Sequence, residues 1–516
     1  MMQCESRNLS MLLDLYELTM ANGFFLDHRA ARKTTFDLFY RKNPDGGGYA
    51  VFAGLEQAID QILGMRFEEE DIAYLRSLKL FPEEFLGYLR GYRFQGDVTA
   101  APEGTIVFPN EPIVTVSGSL LDTQLVETAL LNQVNHQSLI ATKASRIVRA
   151  ADGRGVSDFG ARRAHNVDSA VYGARAAYIG GVDSTATVMA GELFGIPVTG
   201  TMAHSWVMYY GDELEAFRKY AETYPDSTVL LVDTYDVLKS GVPNAIRVAH
   251  DVLEPAGHRL RGIRLDSGDL AYLSKRARAM LDAAGLEDCK IIASNSLDEW
   301  TVRSLIEQGA RIDSFGVGER LITAKSDPVF GAVYKLVATE EGGACIPRIK
   351  LSETPEKITN PGRKRLYRVF DETGHAVADL IAKREEALDF TGKVDYIDPK
   401  KPWRKREFTG CAARELHRDI IKDGRLVCEF PSLKEIRGYV AGQLRDEIWC
   451  EEQRMENPHA HYLDMTPPYY QMKLDTIDRE TLDAESLPDG STTASSSRAQ
   501  ALDPAFASAG FEGAQS

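Results

Sequence analysis

The sequence predicts an α/β protein centred on a (β/α) barrel, and three observations predict it. From Gly155 to about Leu336, short apolar runs alternate with amphipathic helical stretches. Seven such runs follow one another: GVSDFG, AYIGGVDS, PVTGTMAH, TVLLVDTYD, GIRLDSGD, KIIASNS and DSFGVGE. Nearly every one ends on Asp, Ser, Thr, Asn or Gly. Strand–helix units in series imply parallel strands, a pattern that an open doubly wound sheet shares. No single Gly-rich dinucleotide fingerprint is present, however, and many polar strand ends favour the barrel, where loops from all strands meet at one mouth.

In chain order, residues 1–135 mix a helical opening, MLLDLYELTMANGFF, with strand-like TTFDLFYRK and TIVFPNEPIVTVSG, and read as an N-terminal α+β unit. The run Gly46, Gly47, Gly48 links two apolar segments there and reads as a turn rather than a phosphate-cradling nest. Residues 136–340 hold the barrel, with helices such as STATVMAGELFG and LAYLSKRARAMLDAAG between the strands. Residues 341–475 return to mixed character, with basic loops (KITNPGRKRLYRVF, KKPWRKR) and a helical PSLKEIRGYVAGQL, and read as a small C-terminal domain free to pack against the N-terminal one. Residues 476–516 are Ser/Ala-rich, and from Glu485 lack Val, Ile, Tyr and Trp, so a disordered tail is expected.

Composition excludes several functions. The chain of 516 residues carries 60 Lys+Arg against 76 Asp+Glu, a net charge of −16, which disfavours nucleic-acid and anionic-membrane partners. Six scattered cysteines without CxxC spacing predict reduced thiols, and the absence of a leader pattern or an apolar span predicts a cytoplasmic protein. Phosphate-loop, HExxH, GxSxG and kinase motifs are all missing. His459 and His461 form an HxH pair in a loop-like stretch without further ligands, and read as structural.

The polar residues at the strand ends are Asp158, Arg162, Arg163, Asp183, Ser184, Thr201, His204, Asp233, Asp236, Arg264, Asp266, Asp269, Ser294, Asn295, Gly316 and Gly318. Arginine forks fit phosphate or carboxylate oxygens, and aspartates hold hydrated Mg²⁺ or ribose hydroxyls. That inventory suits a phosphorylated sugar with a metal. His204, placed at the mouth rather than within the following helix, is a candidate base, ligand or phosphoryl acceptor.

The runs LLDLYELTMANGFF, FDLFYRKNPDGGGYAVFAGLE, VSDFGARRAH, YIGGVDSTATVMAGELFGIPVTGTMAHSW, GIRLDSGDL, ASNSLDE and FGVGERLIT closely resemble the nicotinate phosphoribosyltransferase family, from about Leu12 to Leu336. The resemblance implies the fold of type II phosphoribosyltransferases, an irregular α/β barrel beside an N-terminal α/β sandwich, in a homodimer with shared active sites. It implies the conversion of nicotinate and 5-phosphoribosyl 1-pyrophosphate to nicotinate mononucleotide and pyrophosphate, coupled to ATP hydrolysis as in a ligase, with Mg²⁺ as cofactor. The nicotinamide-using relative is the alternative.

By the same resemblance, His204 matches the phosphohistidine and acts with Asp266 and Arg264 in catalysis. Tyr16, Phe159, Thr201 and Arg264 match nicotinate-contacting positions. Arg41, Arg162, Asp266, Ser294, Asn295, Gly316 and Gly318 match the grip on phosphoribosyl pyrophosphate, and Asp233 and Asp266 the support of Mg²⁺. Some relatives carry Thr where this chain has Glu319, so no phosphate contact is carried over there, and Thr323 stays open.

Overall fold

The computed structural model describes residues 7–352, 357–403 and 405–485. Six parallel strands form the central sheet: β1 (Gly155–Asp158), β2 (Ser184–Thr185), β3 (Val229–Leu231), β4 (Gly262–Leu265), β5 (Lys290–Ser294) and β6 (Ser314–Val317). Their order is β2-β1-β6-β5-β4-β3. The first strand thus pairs with the last, Val317 opposite Asp158, and consecutive strands are neighbours except β2 and β3, the two edges, the signature of a sheet curled on itself. The third run, PVTGTMAH, contributes a single bridge, Val198 to Thr185. The barrel stays open between that segment and β3, and side chains rather than backbone span the opening.

A seven-stranded sheet packs beside the barrel, and three separate stretches of chain supply it: Lys33–Tyr40, Asp97–Ala100 and Val114–Ser119 first, then Ala332–Glu341 and Ala344–Pro347, then Arg418–Lys422 and Arg425–Leu426. A third sheet of six strands is built from the C-terminal stretch, including Lys364–Phe370, Ala376–Lys383 and Leu463–Met465.

The helix Glu127–Ala150 runs through the middle, and every side chain from Gln137 to Ile147 is buried. Its hydroxyls satisfy the N-terminal unit: Val51 N donates to Thr142 Oγ1 at 2.9 Å and Ala53 N to Ser138 Oγ at 3.0 Å. Its cations meet the barrel, with Lys143 Nζ 2.9 Å from Asp45 and from Glu299, and Arg146 Nε 2.9 Å from Glu299. Removing one member of such a buried set costs about 3–5 kcal/mol, because the remaining charges are left unpaired. A boundary at residue 135 therefore falls inside one continuous helix that both units share. The glycine run is a close-approach turn. A Cβ on Gly47 would lie 2.5 Å from Arg146 Nη1, and one on Gly48 only 1.9 Å from the Glu452 carbonyl.

One expectation changes. The last helix runs Pro467–Glu485, so residues 476–485 are helical rather than part of a tail. Composition averaged over the whole terminus conceals a stripe in which Tyr469 and Thr476 are buried, and Arg479 Nη2 donates to the Pro347 carbonyl at 2.7 Å. The remainder of the expected tail lies outside the described residues. His461 is buried, stacked on Phe108 at 3.7 Å, with Nδ1 2.9 Å from Glu452 Oε1. In the coil before Leu463–Met465 it belongs to a buried ionic cluster, the structural role read for the HxH pair. The five described cysteines are free, and among the described residues no helix is long and apolar enough to cross a membrane.

On the helix Leu15–Leu26, Glu17 is fully buried, and one of its carboxylate oxygens has no hydrogen-bond partner. Burial pushes its carboxyl up to about 7. The folded state then holds a proton that the unfolded chain releases near pH 4.5, so this group's contribution is complete below that pH and is lost as pH rises through 7. His136, pushed down to about 4 chiefly by burial, acts in the opposite sense, but it is common to wild type and variant. Glu17→Gln is therefore expected to gain stability over wild type by about 2–3 kcal/mol between pH 4.5 and 7.5. Urea midpoints at the two pH values check this, and a difference independent of pH would refute it.

Candidate active site

The strand exits gather a connected polar group. Arg264, at the end of β4 and only 12% exposed, donates from Nη1 to Thr201 Oγ1 at 2.7 Å and to the Met202 carbonyl at 3.3 Å. Its Nε donates to Ser294 Oγ at 3.1 Å, at the end of β5. Ser294 in turn donates to Asp266 Oδ1, which lies 3.6 Å from Arg264 Nη2. The guanidinium also sits 5.9 Å from the Phe159 ring centroid, just past β1. One arginine thus ties together four strand ends and lies beside an aromatic ring.

Asp233 follows β3. Its Oδ2 accepts from Asp266 N at 3.0 Å and Ser267 Oγ at 2.6 Å, while its buried Oδ1 has no partner. His204 is the first residue of the helix His204–Tyr210, so it stands in the helix and not before it. Ala203, extended at φ −104°, ψ 164°, supplies the turn. The imidazole Nδ1 is 3.1 Å from Thr234 Oγ1, and Nε2 is 3.8 Å from Asp266 Oδ2. The open side of the barrel is therefore bridged by His204 to the loop after β3, and by Arg264 to Thr201.

Gly316 and Gly318 on and after β6 make room for Phe159. A Cβ on Gly316 would be 2.5 Å from the ring, and one on Gly318 3.1 Å from the Phe159 carbonyl oxygen. They act through packing, without side-chain chemistry.

Other expected residues stand apart from this group. Arg162 is exposed on the short turn Ala161–Arg163. Asn295 is exposed with φ 98°, an uncommon conformation for a residue with a Cβ. Arg41 lies over Phe39 at 5.6 Å, with its buried Nε unpartnered. Tyr16 has its phenol raised by burial and by Glu127 and Glu17, none of which belongs to the strand-end group. Glu319 accepts from Lys325 Nζ at 2.7 Å, and Thr323 Oγ1 donates back to the Glu319 carbonyl at 2.8 Å.

Several strand-end carboxylates have structural work instead. Asp236 and Asp269 cap the helices that follow them. Asp183 stands at the start of β2, accepting from Val156 N at 3.0 Å and Arg437 Nη2 at 2.7 Å, at the far end of the strand from the mouth. Asp158 is fully buried and joins Gly160 N to Thr185 Oγ1, both at 2.8 Å, and burial pushes its carboxyl up. Sequence reasoning missed Thr234 and Ser267. The only signal for them is their place one residue beyond an aspartate at a strand exit.

Three family models match in order: the nicotinate phosphoribosyltransferase N-terminal domain over residues 11–135, the family's central model over 155–360 and its C-terminal domain over 363–473. A nicotinate phosphoribosyltransferase of Bacillus subtilis is 46% identical over 473 residues, covering 91% of this chain and 95% of its own. The chain belongs to the nicotinate phosphoribosyltransferase family. Among solved structures, human nicotinic acid phosphoribosyltransferase superposes with a TM-score of 0.80 at 30% identity, covering 90% of this chain and 99% of its own. A nicotinate-nucleotide pyrophosphorylase of Pyrococcus furiosus gives 0.65 at 26% identity, covering 85% and 96%. The family assignment explains why polar groups concentrate at one end of the barrel.

That polar floor has an apolar rim. In the segments following the strand exits, Val167 (70% exposed), Val188 (69%), Met208 (63%) and Tyr209 (84%) stand in solvent, with Tyr235 and Tyr272 beside them.

Proposed function

We propose that the chain joins nicotinate to 5-phosphoribosyl 1-pyrophosphate, giving nicotinate mononucleotide and pyrophosphate, and couples this step in NAD synthesis to ATP hydrolysis. The observation that carries the reading is Arg264 held beside both Thr201 and Phe159. A flat pyridine ring stacks on Phe159, and its carboxylate meets the Arg264 fork and the Thr201 hydroxyl. The amide of nicotinamide would forfeit the charge-assisted bond.

The pyridine nitrogen attacks the anomeric carbon as the C–O bond to pyrophosphate breaks, through an oxocarbenium-like ribose. No base is needed, because that nitrogen carries no proton. Asp266, Ser294 and the backbone at Gly316 and Gly318 face the sugar phosphate, and Arg41, Arg162 and Asn295 complete its grip. The donor set of Asp233 and Asp266, with a buried and unpartnered Asp233 Oδ1, fits Mg²⁺, which binds through one or two carboxylates plus substrate phosphates. When bound, such an ion neutralises charge developing on the leaving pyrophosphate.

His204 then serves the ATP step. With Nδ1 facing Thr234, Nε2 is the nitrogen left to accept the γ-phosphoryl group. The apolar rim supports a homodimer in which a second copy covers the mouth and brings the partner's Tyr16 to the pyridine ring.

Purified protein with Mg²⁺, phosphoribosyl pyrophosphate and nicotinate should form mononucleotide, with ADP in step when ATP is present. Light scattering should give twice the mass of one chain. A preference for nicotinamide would overturn the substrate assignment, and a monomer with full activity would overturn the shared site. Gly316→Ala, which pushes a Cβ into the Phe159 ring, is expected to raise the KM for nicotinate roughly tenfold, since small misplacements near the chemistry are costly. An unchanged KM would show that the ring does not stack on the substrate.

A further inference from the structure

A cavity of about 160 Å³ lies against the face of the seven-stranded sheet, where Arg363 and Arg384 flank the open end of the hairpin formed by Lys364–Phe370 and Ala376–Lys383. Arg384 N donates to the Arg363 carbonyl at 3.2 Å, so the two arginines are held side by side. Lys422, at the end of the strand Arg418–Lys422, lines the same cavity. None of these three side chains makes an ion pair or hydrogen bond with another described residue. Elsewhere in this chain of net charge −16, arginines such as Arg76 and Arg90 each hold a glutamate at 2.6 Å.

The opposite wall is polar and ordered by the sheet register. Thr99 pairs with Thr115 and Asp97 with Ser117 on neighbouring strands, and Asp419 pairs with Thr99 from the next. Thr115 spends its proton on Asp37 at 2.7 Å, so its oxygen can only accept from a ligand. The cavity thus has a cationic side, Arg363 and Arg384, facing a sheet wall on which Lys422 lies beside two carboxylates, Asp97 and Asp419, that repel a bare anion and accept from hydroxyls, with Asp97 Oδ1 already accepting from Asp423 N at 2.8 Å.

We propose that this cavity binds a phosphorylated, hydroxyl-bearing small molecule such as a sugar phosphate, at a site separate from the barrel mouth. Arg363, Arg384 and Lys422 hold the phosphate, and Asp97 and Asp419 hold the hydroxyls. Because its walls come from both the seven-stranded sheet and the C-terminal hairpin, occupancy clamps the two together.

The test is calorimetric titration of the full chain with ribose 5-phosphate, on wild type and on Arg384→Gln/Lys422→Gln. Both residues are exposed, so the fold should persist, and turnover without added ligand should stay within about twofold. Wild type should show one more site per chain than the variant, or the affinity of one site should fall at least tenfold in the variant. Equal stoichiometry and affinity in both would overturn the site. Inorganic phosphate binding as tightly as ribose 5-phosphate would overturn the assignment of the hydroxyls to Asp97 and Asp419.

Discussion

Arg264→Ala lowers kcat/KM for nicotinate by roughly 10³-fold in the expected result, with a smaller loss for nicotinamide, so that the preference between the two narrows. The magnitude follows from what the side chain holds. A charge-assisted contact from Nη2 to a carboxylate is worth about 1.5–3 kcal/mol, and each 1.36 kcal/mol is about tenfold in rate. The same guanidinium fixes Thr201 at 2.7 Å and Ser294 at 3.1 Å, so its removal also loosens the hydroxyl that orients Asp266. Arg264→Lys keeps the charge but not the fork, and should recover only part of the loss. Steady-state kinetics on both substrates decide the matter. Retention of nicotinate turnover within tenfold would mean that the substrate carboxylate is held elsewhere.

Much of this arrangement was legible in the sequence because strand exits announce themselves. An apolar run that ends on Asp, Ser or Thr before a helix must present that residue at the strand's carboxyl end, and Thr201, Arg264, Asp266 and Ser294 came together on that ground. The same rule overreached at Asp236 and Asp269. A polar residue between strand and helix is equally what a helix needs as its cap, and spacing does not separate the two uses. Asp183 failed for a different reason: its strand is two residues long, too short for the run AYIGGVDS to show which end the carboxylate occupies. Which distant stretches share one sheet was the least legible. Lys33–Tyr40 pairs with Ala332–Glu341, a contact across three hundred residues that no local pattern carries. The helix from Gln137 to Ile147 carries hydroxyls and cations that read as a solvent face, yet all are buried between the units, so its pattern does not mark it as a bridge. Arg41 and Tyr16, carried over by family likeness alone, lie outside the strand-end group of a single chain.

His204→Ala is expected to abolish the response to ATP while leaving mononucleotide synthesis without ATP within about tenfold of wild type. The two effects separate because the pyridine nitrogen needs no proton removed, so the imidazole has no part in forming the C–N bond. Its position instead suits charge delivery: Nε2 is 3.8 Å from Asp266, which is hydrogen-bonded through its backbone to Asp233. A phosphoryl group added there brings about two negative charges beside the proposed Mg²⁺ and pyrophosphate sites, and must change their affinities. Coupling between two sites of this kind typically amounts to about 1–3 kcal/mol, or roughly 5–150-fold, and that factor is what the alanine variant should lose. Thr234→Val gives a graded control, because it removes the hydroxyl facing Nδ1 yet leaves the accepting nitrogen in place, so a slower but measurable transfer of label from γ-labelled ATP to the protein is expected. Full ATP stimulation in His204→Ala would assign the phosphoryl step to another group. Loss of synthesis both with and without ATP would instead make His204 part of the C–N bond-forming machinery, and the separation argued from its geometry would fail.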